Sequence, residues 1–205
     1  MWIVKLGGSL FNSPVLPQWL HILGRYGCRR VVIVPGGGPF ANHIREAQKI
    51  RQFSDSCAHR MALRAMDQFG LMLSGMAERH AIELNPVGEV EELKVVLDDG
   101  QVPVWLPAMA LDHEQTIMQN WDVTSDSLAA WLAGKLQAER LILIKHLQRQ
   151  SRRFEELERE NVIDKALKGF ARAAGFTTSC IAANQPQMML RLLEKNDASA
   201  LIDIT

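Results

Sequence analysis

Two lysines stand where buried strands should end. Lys5 follows the apolar residues of WIVK, ahead of Gly7, Gly8 and Ser9, and Lys145 closes the run RLILIK. A lysine in such a place costs desolvation unless it has a partner, and a bound phosphate is one. Glycines let backbone N–H groups come close to anionic oxygens. A second cluster, Gly36, Gly37 and Gly38, closes VIVP, and Pro39 behind it suits the first turn of a helix, whose N-terminus favours an anion. In WDVTSDSLAAWLAGKL, Thr124 or Ser125 can cap a helix, and Asp126 and Ser127 fall in its first turn, where a carboxylate is favourable. Each piece has a plain structural reading: tight turns, an edge lysine, a capping motif. Together they suit phosphoryl transfer. Two lysines neutralise charge that spreads over the transferring oxygens, and one aspartate holds the lysines in place.

The elements that must position these residues alternate along the chain. Strand-like runs cover Trp2–Leu6, Arg30–Pro35, Val102–Leu106, Arg140–Lys145, Thr178–Ala183 and Ala200–Ile204. Most are short, rich in Val and Ile, and apolar on both faces, as strands buried under helices are. Leu93–Leu97 reads as a further strand, leading into a hairpin over Asp98-Asp99-Gly100. Helical patterns cover Pro17–Gly27, Pro39–Lys49, Asp55–His80, Ser125–Leu136, Asp164–Ala174 and Gln187–Lys195. In the longest, Ala58, Ala62, Ala65, Phe69, Met72 and Met76 recur every third or fourth residue as a core stripe. His59 lies about 100° from Ala58, where it could reach an acceptor phosphate or face solvent. Arg60 and Arg64 lie opposite the core, toward solvent or another subunit. The charged stretch HLQRQSRRFEELERENVI reads as a surface loop or exposed helix. The alternation predicts a parallel sheet covered on both faces. In such sheets ligands bind beyond the carboxyl ends of the strands, where both glycine clusters fall.

Composition narrows the function classes. With 47% hydrophobic residues, the 205-residue chain can bury one substantial core. Lys+Arg and Asp+Glu are both 23, so the basic excess of a nucleic-acid binder is missing, and the five tryptophans have no interleaved basic residues. Cys28, Cys57 and Cys180 form no CxxC pair, which gives neither a disulfide framework nor a zinc signature and is expected of packing residues in a reducing compartment. No apolar run has the length of a membrane span and the N-terminus does not read as a signal peptide, so the expectation is a cytoplasmic protein. The glycine patterns are neither GxxxxGK[ST] nor GxGxxG, which weakens a P-loop or a dinucleotide-dependent oxidoreductase.

Taken together, KLGGSL, VPGGGPF and DVTSDSLAAWLA resemble the amino acid kinase family, which includes acetylglutamate, uridylate and isopentenyl phosphate kinases. Order and spacing agree over roughly Met1 to Lys145. AHRMALRAMDQFGLML is most similar to the family's small kinases acting on an aminomethyl-furanyl methyl phosphate in methanofuran-type cofactor synthesis. The resemblance implies an α/β fold, a three-layer αβα sandwich with a mainly parallel central sheet. It implies one domain over residues 1–205, with the acceptor side roughly 1–120 and the nucleotide side roughly 121–205. It also implies ATP at the carboxyl edge of the sheet, Mg²⁺ carried on the nucleotide phosphates rather than by a protein metal site, and a homodimer.

By motif position, Lys5 would contact the transferred phosphoryl group, with Gly7, Gly8, Ser9 and Ser125 as phosphate contacts. Gly36, Gly37 and Gly38 would face the acceptor, together with His59. Asp126 would organise Lys5 and Lys145, and Asp122 would be a polar acceptor position just before it. Lys165 and Lys168, in VIDKALKGF, are both candidates for a later lysine near the ATP phosphates. One departure is clear: the family commonly follows its ATP strand with a turn like DVDG, whereas Lys145 is followed by HLQRQ. The leading expectation is an ATP-dependent kinase whose small acceptor already carries an anion, a phosphate before a carboxylate. The rival is a non-catalytic nucleotide- or phosphate-binding regulatory module on the same fold.

Overall fold

Trp2–Leu6 (β1) is buried along its whole length. It lies at the centre of a sheet, between Val31–Pro35 (β2) and Arg140–Lys145 (β5), parallel to both. The structure, a computed structural model, describes residues 1–112, 114–147, 153–195, 198, 201, 203 and 204. Outward from β2 follow Pro103–Trp105 (β4) and Asn85–Val87 (β3); outward from β5 follow Thr177–Ala182 (β6) and Asp203–Ile204 (β7). The order β3-β4-β2-β1-β5-β6-β7 is parallel throughout except for β7, which runs antiparallel to β6. Chain progression reverses at β1, which makes the carboxyl end of β1 the switch point where such sheets bind ligands.

Helices cover both faces. Leu16–Tyr26 (α1) and Pro186–Lys195 (α9) pack on one, with Trp2, Val4, Leu6, Ile142 and Ile144 beneath them. Val90–Asp98 (α4), Pro107–Leu111 (α5), Ser125–Lys135 (α6), Phe154–Arg159 (α7) and Leu167–Ala174 (α8) pack on the other, with Ile3, Val32, Val34, Leu141 and Leu143 beneath them. Side chains alternate along a strand. Lys5 therefore shares a face with Ile3, and Lys145 shares that same face with Leu141 and Leu143. Both lysines are directed toward α6. Gly38–Arg51 (α2) and Asp55–Glu78 (α3) pack on each other beside the carboxyl edge. α3 joins both cores, through Leu63 and Met66 on one side and Phe69, Leu73 and Ala77 on the other.

The structure departs from the sequence reading in five places. Leu93–Leu97 is not a strand but lies inside α4. Its buried residues, Leu93 and Leu97, are one helical turn apart, Val95 is exposed, and Glu91 and Glu92 occupy the dipole-favourable first turn. The short edge strand β3 had no periodic signal, and Pro86 is tolerated there because an edge strand leaves one side unpaired. Of Ala200–Ile204 only Asp203 and Ile204 form a strand, and residues 200 and 202 lie outside the described residues. The charged stretch after Lys145 includes α7, which buries Phe154 and Leu157, while residues 148–152 lie outside the described residues. Cys28 and Cys57 are exposed rather than packed.

Candidate active site

The central constellation is one carboxylate between two ammonium groups. Asp126 Oδ2 accepts a hydrogen bond from Lys145 Nζ at 2.5 Å, and Asp126 Oδ1 lies 2.9 Å from Lys5 Nζ in a charge contact without hydrogen-bond alignment. The side chains of Lys5 and Asp126 are 5% and 4% exposed, so water screens this pair little. Burial works to raise the Asp126 carboxyl, but Lys145 and Lys5 outweigh it and hold it down at about 2. Burial lowers Lys5, and Asp126 opposes that shift. Two cations sharing one anion leave a positive charge in excess. Removing one partner of such a buried set typically costs about 3–5 kcal/mol.

Asp126 is held in place by a residue the sequence reading did not single out. Thr124 occupies the N-cap position of α6, but its hydroxyl makes no cap bond. Instead Asp164 caps the helix from outside. Its Oδ2 accepts from the backbone N–H groups of Thr124 at 2.8 Å and Ser127 at 3.0 Å, and from the Thr124 hydroxyl at 2.8 Å. Its Oδ1 accepts from the Ser127 hydroxyl and from Leu167 N–H at 3.0 Å, which caps α8 as well. One carboxylate thus locks the turn carrying Asp126 to the start of α8. The signal was present in the sequence: an aspartate three residues before Leu167 is an N-cap pattern. The helical pattern starts at Asp164, which hides its capping role, and its reach to α6 has no local signature.

The two glycine clusters serve one site by meeting each other. A Cβ on Gly8 would lie 2.3 Å from the Gly38 nitrogen, and one on Gly36 would lie 2.5 Å from the Gly8 nitrogen. Gly38 also has φ +54°, the left-handed region that glycine favours. Gly36 N–H is bonded to Leu6 C=O at 2.8 Å, so it ties β2 to β1 and is not a donor for an acceptor. Gly7 packs against β5, with the Ile144 carbonyl 3.0 Å from where a Cβ would be.

Two cavities flank this crossing. The smaller, about 310 Å³, is bounded by Gly8, Ser9, Gly37, Gly38, His59 and Ser125 among others. His59 is buried, and its pKa is lowered by burial against an opposing hydrogen bond to the Asn120 backbone. The larger, about 710 Å³, contains Lys5, Asp126, Lys145, Asp164, Asp122 and Lys165 in its wall. Arg45, Trp121 and Thr124 border both. Asp122 therefore lies away from His59 and the glycines. It pairs with Lys165 at 3.0 Å on the exposed rim of the larger cavity. Lys168 pairs with Glu155 and lines neither cavity. Arg64 makes a two-pronged bond to Asp112, at 3.2 and 2.9 Å, and Arg60 lies 3.7 Å from the same carboxylate. Arg45 and Trp121, missed in the sequence, come to the site on separate elements.

A profile described as the amino acid kinase family matches residues 1–149. The chain belongs to the amino acid kinase family. It is 31% identical over 145 residues to the [5-(aminomethyl)furan-3-yl]methyl phosphate kinase of Methanocaldococcus jannaschii, a match covering 70% of this chain and 64% of that protein. Crystal structures share the fold at lower identity. Uridylate kinase from Archaeoglobus fulgidus superposes with TM-score 0.68 at 17% identity, over 98% of this chain and 97% of that one. UMP kinase from Bacillus anthracis gives TM-score 0.71 at 15% identity, over 100% and 98%. The match to the family profile contains Lys5, both glycine clusters, Asp126 and Lys145, and ends before Asp164. The αβα sandwich with a mostly parallel sheet is the fold of these kinases. Among the described residues no helix is long and apolar enough to cross a membrane.

Proposed function

We propose that this protein is an ATP-dependent small-molecule kinase that transfers the γ-phosphoryl group to a small anionic acceptor. The observation that carries the reading is the Lys5–Asp126–Lys145 constellation in the wall of the larger cavity, which adjoins the smaller one at Arg45, Trp121 and Thr124. The larger cavity takes ATP and the smaller takes the acceptor. Lys5 and Lys145 face the transferring group and neutralise the charge spread over its oxygens, while Asp126 fixes both ammonium groups before the substrates arrive. Transfer runs directly from donor to acceptor, so positioning and electrostatics supply the catalysis and no covalent intermediate is required. Gly8, Ser9 and Ser125 are phosphate contacts, Gly37, Gly38 and His59 acceptor contacts. Lys165 is the better placed of the two later lysines, because it borders the larger cavity and Lys168 does not.

Mg²⁺ enters on the nucleotide phosphates in this reading; among the described residues, no group of three His, Cys, Asp or Glu side chains could hold a metal on its own. The acceptor is a phosphate monoester, such as an aminomethyl-furanyl methyl phosphate of methanofuran-type cofactor synthesis, and the product a diphosphate. The relative from M. jannaschii supports that choice. The match spans 64% of that relative's length. A cytoplasmic homodimer completes the proposal.

A competition assay on purified protein tests it. ATP turnover is measured with [5-(aminomethyl)furan-3-yl]methyl phosphate, simple monophosphates, carboxylate amino acids and uncharged alcohols. Turnover confined to phosphate monoesters is expected. Turnover with alcohols or carboxylates alone would remove the phosphate acceptor and leave the kinase. ATP binding without turnover on any acceptor would favour a regulatory module instead.

A further inference from the structure

Arg45 continues the helix face that begins at the second glycine cluster. Gly38, Ala41, Asn42 and Arg45 recur at the spacing of one face of α2, and all four line the smaller cavity. The Arg45 guanidinium carbon sits 4.1 Å from the centre of the Trp121 ring. That ring is itself fixed, because its Nε1–H donates to Gln48 Oε1 at 2.7 Å. The Gln48 amide donates onward to the Phe53 carbonyl at 3.1 Å and to the Asp55 carboxylate at 2.8 Å. The platform is therefore anchored on both α2 and α3.

Among the described residues no carboxylate pairs with Arg45, and its side-chain bond is to Asn42 Oδ1 at 3.4 Å, near the limit of hydrogen-bond length. The side chain is half-buried and carries five N–H donors in a planar fork. It is also the cation that borders both cavities; Lys5, Lys145 and Lys165 do not line the smaller one. The remaining wall of the smaller cavity includes Leu63, Met66, Val123 and Leu128, which suit an apolar body.

We propose that Arg45, stacked on Trp121, anchors the anionic group of the acceptor at the junction of the two cavities, and that the smaller cavity selects a phosphate monoester with a compact apolar body. The inference rests on the phosphotransferase reading above. A guanidinium matches two phosphate oxygens at once, and stacking on an aromatic ring fixes the plane of its fork. Trp121 acts through Arg45 as a positioning residue.

Calorimetric titration tests this without relying on turnover. Wild type, Arg45→Ala and Arg45→Lys are each titrated with [5-(aminomethyl)furan-3-yl]methyl phosphate, with the corresponding alcohol lacking the phosphate, and with a non-hydrolysable ATP analogue. Wild type should bind the phosphate at least about tenfold more tightly than the alcohol, as expected of charge-assisted bonds. Arg45→Ala should lose that discrimination while its affinities for the alcohol and the ATP analogue stay unchanged, and Arg45→Lys should restore only part of it. Trp121→Ala should move in the same direction, and Trp121→Phe much less. If Arg45→Ala still discriminates as wild type does, the anchor is wrong and the phosphate acceptor stands. If wild type binds the alcohol as tightly as the phosphate, the acceptor reading fails and the anchor with it. Equal losses for all three ligands would mark Arg45 as structural and overturn the proposal.

Discussion

Gly8 and Gly38 meet backbone to backbone, so that a Cβ on Gly8 would lie 2.3 Å from the Gly38 nitrogen and 2.5 Å from its Cα. This contact joins the turn after β1 to the start of α2, and hence the Lys5 end of the site to the smaller cavity. Backbone atoms cannot swing aside as a flexible side chain can. Gly8→Ala is therefore expected to destabilise the fold by about 1–3 kcal/mol, the usual cost of overpacking, and to impair turnover. Gly75→Ala serves as the control. Its Cβ would meet nothing within 4 Å, and in a helix interior the change should stabilise by roughly 0.5–1 kcal/mol. Chemical denaturation of both variants checks the pair; equal stabilities would remove the close approach as a reason for the glycine.

Asp164 should matter to catalysis without being expected to touch the transferred group. Asp164→Ala leaves two α6 amides, two hydroxyls and an α8 amide without their acceptor. A stability loss of about 1–3 kcal/mol is expected, together with a lower kcat. Asp164→Asn keeps an acceptor oxygen and should recover part of both. A kcat unchanged in a destabilised Asp164→Ala would show that the α6 turn does not position Asp126.

Asp126 distinguishes a catalytic organiser from a cap. As a cap, Asn would serve about as well as Asp. Between Lys5 and Lys145 it cannot, because a neutral amide leaves both ammonium groups uncompensated. Asp126→Asn is expected to lose about 3–5 kcal/mol of stability and nearly all activity. Full activity in that variant would sink the organiser role. Acid adds a second reading of the same residue. Its folded pKa of about 2 lies below the ordinary 3.8, so its stabilisation is present above pH 3.8 and is lost as pH falls through about 2.

Asp67 gives a pH dependence of opposite sign. Burial pushes its carboxyl up to about 6, against Ala108 N–H and Arg64, with Asp112 adding to the rise. Between pH 3.8 and about 6 the native state binds more protons than the unfolded one, so this group's contribution to stability falls as pH rises through that window. Asp67→Asn keeps an oxygen for Ala108 N–H, 3.2 Å away, and removes the titration. Relative to wild type the variant should gain on the order of 1 kcal/mol on going from pH 4 to pH 7, after allowance for solvent screening of a half-buried group. A difference that does not change with pH would contradict this.

Much of the fold was legible because its signals are local. Trp2–Leu6 and Arg140–Lys145 are continuous apolar runs, and the strands have those bounds. That Lys5 and Lys145 share a face depends on the register that sets Lys5 opposite Leu143, and a slip of one residue would have separated them. The long helix was found, but its buried stripe continues through Leu73 and Ala77 rather than Met72 and Met76, which draws His59 inside. Leu93–Leu97 misled because β-branched residues favour strands, while burial at a four-residue spacing decided for a helix. Asp164 and Arg45 were not legible as site residues. Each acts across tens of residues of chain, and no periodicity encodes which turn a carboxylate will cap or which ring a guanidinium will cover.

If Lys5 stabilises charge on the transferred phosphoryl group, its loss must slow transfer while leaving the fold intact. Lys5→Ala is suited to the test because Lys145 still pairs with Asp126 at 2.5 Å, so the fold should survive. The measurement is kcat with saturating ATP and [5-(aminomethyl)furan-3-yl]methyl phosphate, beside the thermal unfolding of both proteins. A fall on the order of 10²–10³ in kcat is expected, with cooperative unfolding retained. Undiminished turnover in the folded variant would contradict it.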